Sequence, residues 1–184
     1  MGHQQEKKKC LLGDILVEYS ERNHGNSREV VAVGKSGIRK REELFSRELS
    51  KDYSANKVIR KNTLTIGMGS NQIDFGILLE DKEFCVSPAY TTYRIVGVNS
   101  AYLKELLTWL NPILSFKYMI TSVRQGKTVN KDELMRHPIS LCSEKEQFRI
   151  QLIMSTIKRL MDVGTETLSL YQRQKQFFLQ KLFI

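Results

Sequence analysis

The chain has 184 residues, of which 41% are hydrophobic and 27% charged, and this balance excludes a fully disordered protein. Its 29 lysine and arginine residues outnumber 20 acidic residues, and the net charge of +9 predicts a polyanionic partner or a solvated basic face. No apolar run of about 18 residues is present and no secretory signal is recognisable, so we expect a cytoplasmic protein with no membrane contact.

The cysteine and histidine residues indicate neither a disulfide framework nor a metal site. Cys10, Cys85 and Cys142 lie far apart, are odd in number and show no C-x-x-C spacing. The three histidines do not stand at zinc-finger distances from them. We expect buried thiols, no metal and no directly bound cofactor.

Up to about residue 100 the chain has the pattern of short β-strands. The candidate strands are β-branched or aromatic and are bounded by Gly, Asn, Ser or Pro. The segment from Gly67 to Asn71 has the composition of a tight turn between two of them. Together with a short helix at a sheet edge, these segments predict a twisted mixed β-sheet. The helix is residues 11–16, and the strands are residues 30–33, 58–59, 64–66, 75–79 and 93–96.

A helical segment is predicted to follow the strands. Asn99 or the serine after it caps a helix whose leucines recur on one face, and Pro112 breaks this helix before a second one over residues 113–120. A loop with a bent strand is predicted over residues 122–129. A short helix then starts at Asn130.

The last forty residues predict one long helix. Ser143-Glu144-Lys145-Glu146 forms a capping box, and no proline occurs between it and Phe183. A helix of this length, about 60 Å, cannot bury its apolar stripe on one small domain, so we predict coiled-coil-type pairing with another helix. The alternative is a terminal core helix with a frayed end. The stripe consists of Ile150, Ile153, Ile157, Leu160, Leu168, Tyr171, Phe178 and Leu182.

The predicted fold class is therefore α+β. A globular domain with short helices and a twisted sheet is expected over residues 1–142, and a long helix that pairs with another helix over residues 143–184.

Several fragments resemble catalytic or nucleotide-binding motifs without completing them. Gly34-Lys35-Ser36 and Gly126-Lys127-Thr128 both lack the glycine five positions earlier that a phosphate loop requires. A magnesium-dependent nuclease could use Asp74, Glu80 and Lys82, although the last two fit an exposed hairpin tip more simply.

Basic residues concentrate in residues 35–61, with nine lysines and arginines against four acidic residues, and again in residues 124–127. Charge alone leaves open a nucleic-acid surface and an ordinary solvated face. Between residues 87 and 93, Tyr90 and Thr92 share one strand face, which could meet either the core or DNA.

Seven segments follow one another in a distinctive order. A Leu-Gly-Asp-Ile segment precedes a glycine-rich turn, a Val-Ser-Pro-Ala-Tyr segment, a helix opened by Tyr-Leu and an Arg-Gln-Gly-Lys-Thr-Val segment. The long helix begins with Glu-Lys-Glu-Gln-Phe-Arg-Ile and closes with Leu-Gln-Lys-Leu-Phe. These segments are residues 12–15, 66–69, 86–90, 102–103, 124–129, 144–150 and 179–183. In this order they resemble the specificity subunit of type I restriction–modification systems.

The resemblance implies a DNA reader without catalysis of its own. Members of that family usually carry two target-recognition domains, each followed by a helical region, and this chain resembles a half subunit with one of each. In the family the helical region binds methyltransferase subunits, which carry S-adenosylmethionine, and through them the endonuclease/translocase subunits. A half subunit would form a homodimer through the long helix and bind a symmetric two-part site in double-stranded DNA.

Residue chemistry and loop position select the DNA-contact candidates, because the family pattern does not fix them. Base contacts need donors and acceptors on loops, whereas phosphate contacts need positive charge. The base-contact candidates are Ser36, Arg39, Ser70, Asn71, Gln72, Tyr90, Thr92, Arg124 and Gln125, and the phosphate candidates are Lys35, Lys40, Arg41 and Lys127.

Two other classes of protein stay open. One is a coiled-coil adaptor without specific DNA binding. The other is a stand-alone DNA-modifying enzyme, whose activity would depend on Asp74 or Glu80.

Overall fold

The structure, a computed structural model, describes residues 7–26, 28–35, 37–41, 52–122 and 126–183. The three α-helices of this part of the chain are α1 (Ser100–Tyr118), α2 (Lys131–Met135) and α3 (Glu144–Phe183), and short 3₁₀ helices cover Leu12–Ile15 and His24–Asn26. The strands are β1 (Lys8–Leu11), β2 (Leu16–Tyr19), β3 (Val31–Gly34), β4 (Gly37–Lys40), β5 (Lys57–Ile59), β6 (Thr63–Met68), β7 (Ile73–Leu78), β8 (Phe84–Val86), β9 (Thr91–Ile95), β10 (Met119–Ser122), β11 (Gly126–Val129) and β12 (Pro138–Leu141).

The predicted α+β class is confirmed, with one difference in the sheets. The strands form a four-stranded sheet of order β2-β9-β6-β7 and four two-stranded sheets, all antiparallel. The expectation of a mixed sheet was wrong. Strands joined by a tight hairpin, such as β6 and β7, must run antiparallel, because parallel strands need a long crossover connection. Within the described ranges, parallel pairing is limited to one isolated bridge, Val30 to Cys85.

The four-stranded sheet is covered on both faces. Ile73 and Ile77 of β7 belong to the cluster that includes Leu103 and Leu107 of α1. The opposite face of β7 carries Gly76, which has no room for a side chain because Val33 and Ile38 of the β3–β4 hairpin lie over it. The basic β3–β4 hairpin is thereby fixed on the outside of the sheet.

Helix α1 runs without interruption through Pro112, so the predicted break was wrong. Asn99 caps the helix as expected, with its side-chain oxygen accepting a hydrogen bond from the Tyr102 amide at 2.9 Å. Pro112 is exposed, whereas Leu107 and Leu114 on either side of it are buried in the core. Packing of the leucine face therefore outweighs the one helical hydrogen bond that proline removes.

Among the described residues, the hydrogen bonds that join α3 to the rest of the fold lie at its start. Gln147 is buried; its side-chain oxygen accepts from the Asn99 amide and its side-chain nitrogen donates to the Cys142 carbonyl, both at 2.9 Å. Asn99 also donates to the Gln151 side chain at 3.0 Å. From Leu152 to Phe183 nearly every residue is exposed.

The 40 residues of α3 confirm the predicted long helix, which continues to Phe183 without fraying. A domain boundary between residues 142 and 143 stays a prediction, and the Gln147 bonds cross it. Among the described residues, no helix combines the length and apolarity that crossing a bilayer requires.

Candidate nucleic-acid interface

Three hairpins bring several of the predicted DNA-contact residues close to one another. Lys35 in the β3–β4 turn and Gln72 in the β6–β7 turn line the same cleft. The side-chain amine of Lys127, on β11, donates to the carbonyl of Ser70 in the β6–β7 turn. The hairpin surface, as we call it, comprises Lys35, Arg39, Ser70, Asn71, Gln72 and Lys127.

The β6–β7 turn holds three polar side chains outward, as the glycine-rich sequence predicts. The Gly69 amide donates to the Gln72 carbonyl at 3.1 Å and closes the turn. A side chain at Gly69 would come within 2.6 Å of that carbonyl oxygen, so only glycine fits. Ser70 and Asn71 are exposed and Gln72 is half-buried.

The β3–β4 hairpin presents the basic candidates. Lys35, Arg39 and Lys40 are exposed, and Lys40 pairs with Glu29 at 2.9 Å. Arg41 is half-buried and its amide donates to the Val30 carbonyl. Their phosphate and base contacts stay predictions. The candidates Ser36, Arg124 and Gln125 lie outside the described residues.

Thr92 cannot contact DNA, and its inclusion among the base-contact candidates was wrong. Its exposure is 0%, and its hydroxyl donates to the Tyr19 carbonyl on the neighbouring strand. Strand alternation predicts one solvent face only where one face of the sheet is bare. Here Tyr93, on the opposite face, is buried as well.

Tyr90 has a structural position, which is one of the two alternatives that the sequence left open. Its ring lies against Gly67, and its hydroxyl donates to the Val33 carbonyl at 3.3 Å and lies 3.4 Å from the Val33 amide. The side chain thus bridges β6 and β3. Because its hydroxyl is already engaged, we remove Tyr90 from the base-contact candidates.

Part of the positive charge is used within the fold. Arg60 binds Glu21 through two hydrogen bonds of 2.6 and 2.7 Å and binds Glu83 at 2.6 Å, and Glu83 also accepts from Arg28. The hydrogen bonds from Arg60 lower the pKa of Glu21, and those from Arg28 and Arg60 lower the pKa of Glu83. These two arginines therefore stabilise the fold and contribute little free charge to an interface.

Two lysines near the hairpin surface were missed at the sequence level. Lys104 of α1 and Lys158 of α3 line the cleft of about 400 Å³ that also contains Lys35 and Gln72. Lys104 has no basic neighbour in the sequence and Lys158 has only Arg159 beside it, so neither stands out as part of a basic cluster. Only the packing of α3 beside α1 brings them together.

Helix α1 also carries an exposed apolar stripe. Trp109 is 73% exposed, Phe116 is 90% exposed, and Ile113 lies between them. The spacing of four and three residues, opposite the buried leucines, could have indicated this second face. Exposed aromatic side chains that line up in this way are typical of a protein-contact surface.

Helix α3 carries two apolar stripes. Of the predicted stripe, Ile150 packs partly against the core and the other members are exposed; we call these eight residues the seam. A second stripe runs along a different face of the helix and is also exposed. It consists of Phe148, Leu152, Val163, Leu170 and Phe177.

The residues of the nuclease alternative are scattered. Asp74 is buried on β7, whereas Glu80 and Lys82 lie in the exposed β7–β8 turn, 3.9 Å apart. In the part of the chain that the structure describes, no three His, Cys, Asp or Glu side chains are grouped so that they could hold a metal ion.

Replacing Asp74 with asparagine is expected to stabilise the protein at neutral pH. Burial raises the pKa of the Asp74 carboxyl above its usual range, so ionisation destabilises the fold as the pH rises through that pKa. The gain from Asp74→Asn should therefore appear above about pH 4 and vanish in more acidic solution. Urea unfolding at several pH values measures it, with exposed Asp81→Asn as control; an equal effect of both substitutions would contradict the prediction.

Comparison with known proteins gives similarity in structure and none in sequence. No protein-family model and no curated protein matches the chain. The crystal structure of the HsdS subunit from Thermoanaerobacter tengcongensis superposes with a TM-score of 0.52 and 15% identity, over 89% of this chain and 40% of that one. The fold is that of HsdS.

A second solved structure agrees with this HsdS fold. This structure is described as the basis of complex assembly and conformational transition of the type I R-M system. It superposes with a TM-score of 0.55 and 16% identity over 89% of this chain. The chain spans about 40% of the length of both matched chains. The family resemblance of the sequence segments is thus confirmed at the level of the fold.

Proposed function

We propose that this chain is the DNA-recognition subunit of a type I restriction–modification complex, in a half-length form without catalysis of its own. The HsdS fold over 89% of the chain is the observation that carries the proposal. The hairpin surface and the net charge of +9 support it, because a DNA reader needs exposed donors beside positive charge.

Base recognition is assigned to the hairpin surface. Asn71 and Gln72 can each form a bidentate pair with adenine, and Arg39 with guanine. Lys35, Lys40, Arg41 and Lys127 supply phosphate contacts, which give affinity and salt dependence without sequence information. A two-stranded hairpin fits the major groove, which is about 12 Å wide.

The seam of α3 is assigned to a second copy of the chain. We call the globular part of the chain that precedes α3 the head. A homodimer would hold two heads at a fixed separation and so bind a symmetric site with a nonspecific gap. The second stripe of α3 and the apolar stripe of α1 then remain for methyltransferase subunits, which would carry S-adenosylmethionine and recruit the endonuclease/translocase subunits.

Selection of binding sequences from a random duplex pool tests the proposal, with the chain alone and with the methyltransferase subunits of its own system. We expect a symmetric two-part sequence and binding that weakens steeply with salt. Replacing Asn71 and Gln72 with alanine should weaken binding to that sequence about thirtyfold to ten-thousandfold, since each of the two lost base contacts costs about 1–3 kcal/mol.

Binding of the Asn71→Ala, Gln72→Ala variant to unrelated duplex should stay unchanged, because its phosphate-binding lysines and arginines are intact. Gln172→Ala on exposed α3 is the matched control and should retain the full preference. An unaltered preference in the Asn71, Gln72 variant would contradict the assignment of base contacts.

A coiled-coil adaptor is the second candidate function, and the exposed apolar stripes of α1 and α3 favour it. An adaptor would assemble proteins without sequence preference. No DNA binding at low salt, even with methyltransferase subunits present, would favour the adaptor over the DNA reader.

A further inference from the structure

A cleft beside the hairpin surface collects lysines from three separate elements. Lys35 comes from the β3–β4 turn, Lys104 from α1 and Lys158 from α3. Gln72 and Glu105 also line this space of about 400 Å³. We call it the lysine cleft.

The lysines of this cleft have no acidic partner in the part of the chain that the structure describes. Within the described ranges, none of the three forms an ion pair, whereas Lys40, Lys61 and Lys82 nearby all do. Three ammonium groups around one cleft, against the single carboxylate of Glu105, repel one another unless an anion lies between them. The hydrogen bonds of Gln147 and Gln151 to Asn99 prevent relief by movement of α3 away from α1.

A second cleft continues the first across the β3–β4 hairpin. It measures about 450 Å³ and shares Lys104 and Ile77 with the lysine cleft. Arg39, Lys40 and Lys82 line it, and the carboxylates of its Glu29 and Glu80 are paired with the last two. The two clefts form one groove from the base of α3, over α1, to the end of β4.

We propose that this groove binds the sugar–phosphate backbone of double-stranded DNA, and that Lys104 and Lys158 make phosphate contacts from the helices. The base of α3 would then bind DNA directly in addition to separating the heads. This inference rests on the proposed DNA-reading function and assigns to it residues outside the hairpins.

The chemistry of the groove fits a polymer backbone better than a small phosphate ligand. The groove is open to solvent and extends through two clefts, and its floor includes the apolar side chains of Phe75 and Ile77. Lysine amines act as point charges on flexible stems, which suits successive phosphates and carries no base specificity.

A salt series with the full chain and nonspecific duplex tests the inference. Each phosphate contact removed should reduce the magnitude of the slope of log K against log salt by about 0.9, so Lys104→Gln with Lys158→Gln should reduce it by about 1.8 for each copy of the chain that is bound. Near 0.1 M salt this amounts to about tenfold weaker binding for each lysine. Lys175→Gln with Lys181→Gln, far along the same helix, is the control with equal reduction of charge and should keep the original slope.

The outcomes separate this inference from the proposed function. If the wild type binds DNA and the Lys104, Lys158 variant keeps its slope, the groove proposal is overturned while the reader function stands. A lower slope in both pairs of variants also overturns it, since charge alone then sets the effect. If the slope falls only for Lys104 and Lys158 while Asn71→Ala, Gln72→Ala leaves the sequence preference intact, the groove stands and the base-contact assignment fails. Absence of any DNA binding overturns both.

Discussion

Replacing Ile157 and Leu168 with aspartate in the full chain is expected to convert a dimer into a monomer. Both side chains belong to the exposed seam of α3, and a homodimer would bury them against a second copy. Burying each such side chain contributes about 2 kcal/mol, and a buried unpaired carboxylate adds a further penalty. With four altered side chains per dimer, the dimer dissociation constant should rise by more than about ten-thousandfold.

Light scattering coupled to size exclusion measures this change. Val163→Asp with Leu170→Asp, on the second stripe, is the matched control because it places the same charges on another face of α3. The control should remain dimeric. If the control is monomeric and the seam variant dimeric, the seam has been assigned to the wrong stripe.

Dissociation of the dimer should also reduce DNA affinity. In the dimer the paired α3 helices link the two heads. Once one head has bound its half-site, the second head therefore binds the other half-site at a high effective concentration. A monomeric seam variant should therefore bind the selected two-part sequence about a hundredfold to ten-thousandfold more weakly, with its half-site affinity unchanged. Truncation is a poorer test when the cut is placed before Ser143, since it removes Gln147 and Ile150 from the packed head.

Replacing Gly67 with alanine is expected to destabilise the head by about 1–3 kcal/mol. A methyl group at this position would come within 2.3 Å of the Tyr90 ring, closer than carbon atoms can approach. Tyr90 must then move, and its hydroxyl no longer holds the backbone of Val33 on β3. Because β3 carries the basic hairpin, DNA affinity should fall together with stability.

Urea or thermal unfolding measures the destabilisation. Gly34→Ala is the control, because a methyl group there meets no atom within 4 Å. A double-mutant cycle with Tyr90→Ala isolates the clash: Gly67→Ala should cost much less once the ring is gone. An equal cost in both backgrounds would show that the ring is not the cause.

The long helix and the turns were predictable because their causes are local. The capping-box sequence of residues 143–146 and the absence of proline favour a helix wherever the segment lies, and glycine at Gly69 favours a turn in the same way. The α+β class follows from the strand and helix periods alone.

Features that depend on distant packing could not be predicted. Pro112 is tolerated because the leucine face of α1 packs against β7, which is distant in sequence, and Thr92 is buried because elements on both sides cover its sheet. The lysine cleft likewise exists only once α3 lies beside α1. The base-contact candidates Ser70 and Asn71 lie in a turn, and there the local chemistry placed the side chains on the surface as expected.

Under the proposed DNA-reading function, the joint between the head and α3 limits where the head of one chain could be exchanged for that of another. The side chains of Gln147 and Gln151 are bonded to Asn99, so the first two turns of the helix and the start of α1 form one unit. An exchange of heads between relatives at residue 143 would combine an Asn99 from one parent with a Gln147 from another. A crossover beyond Gln151 would keep these hydrogen-bonded residues together in one parent's sequence. It would therefore preserve the angle between the incoming head and α3.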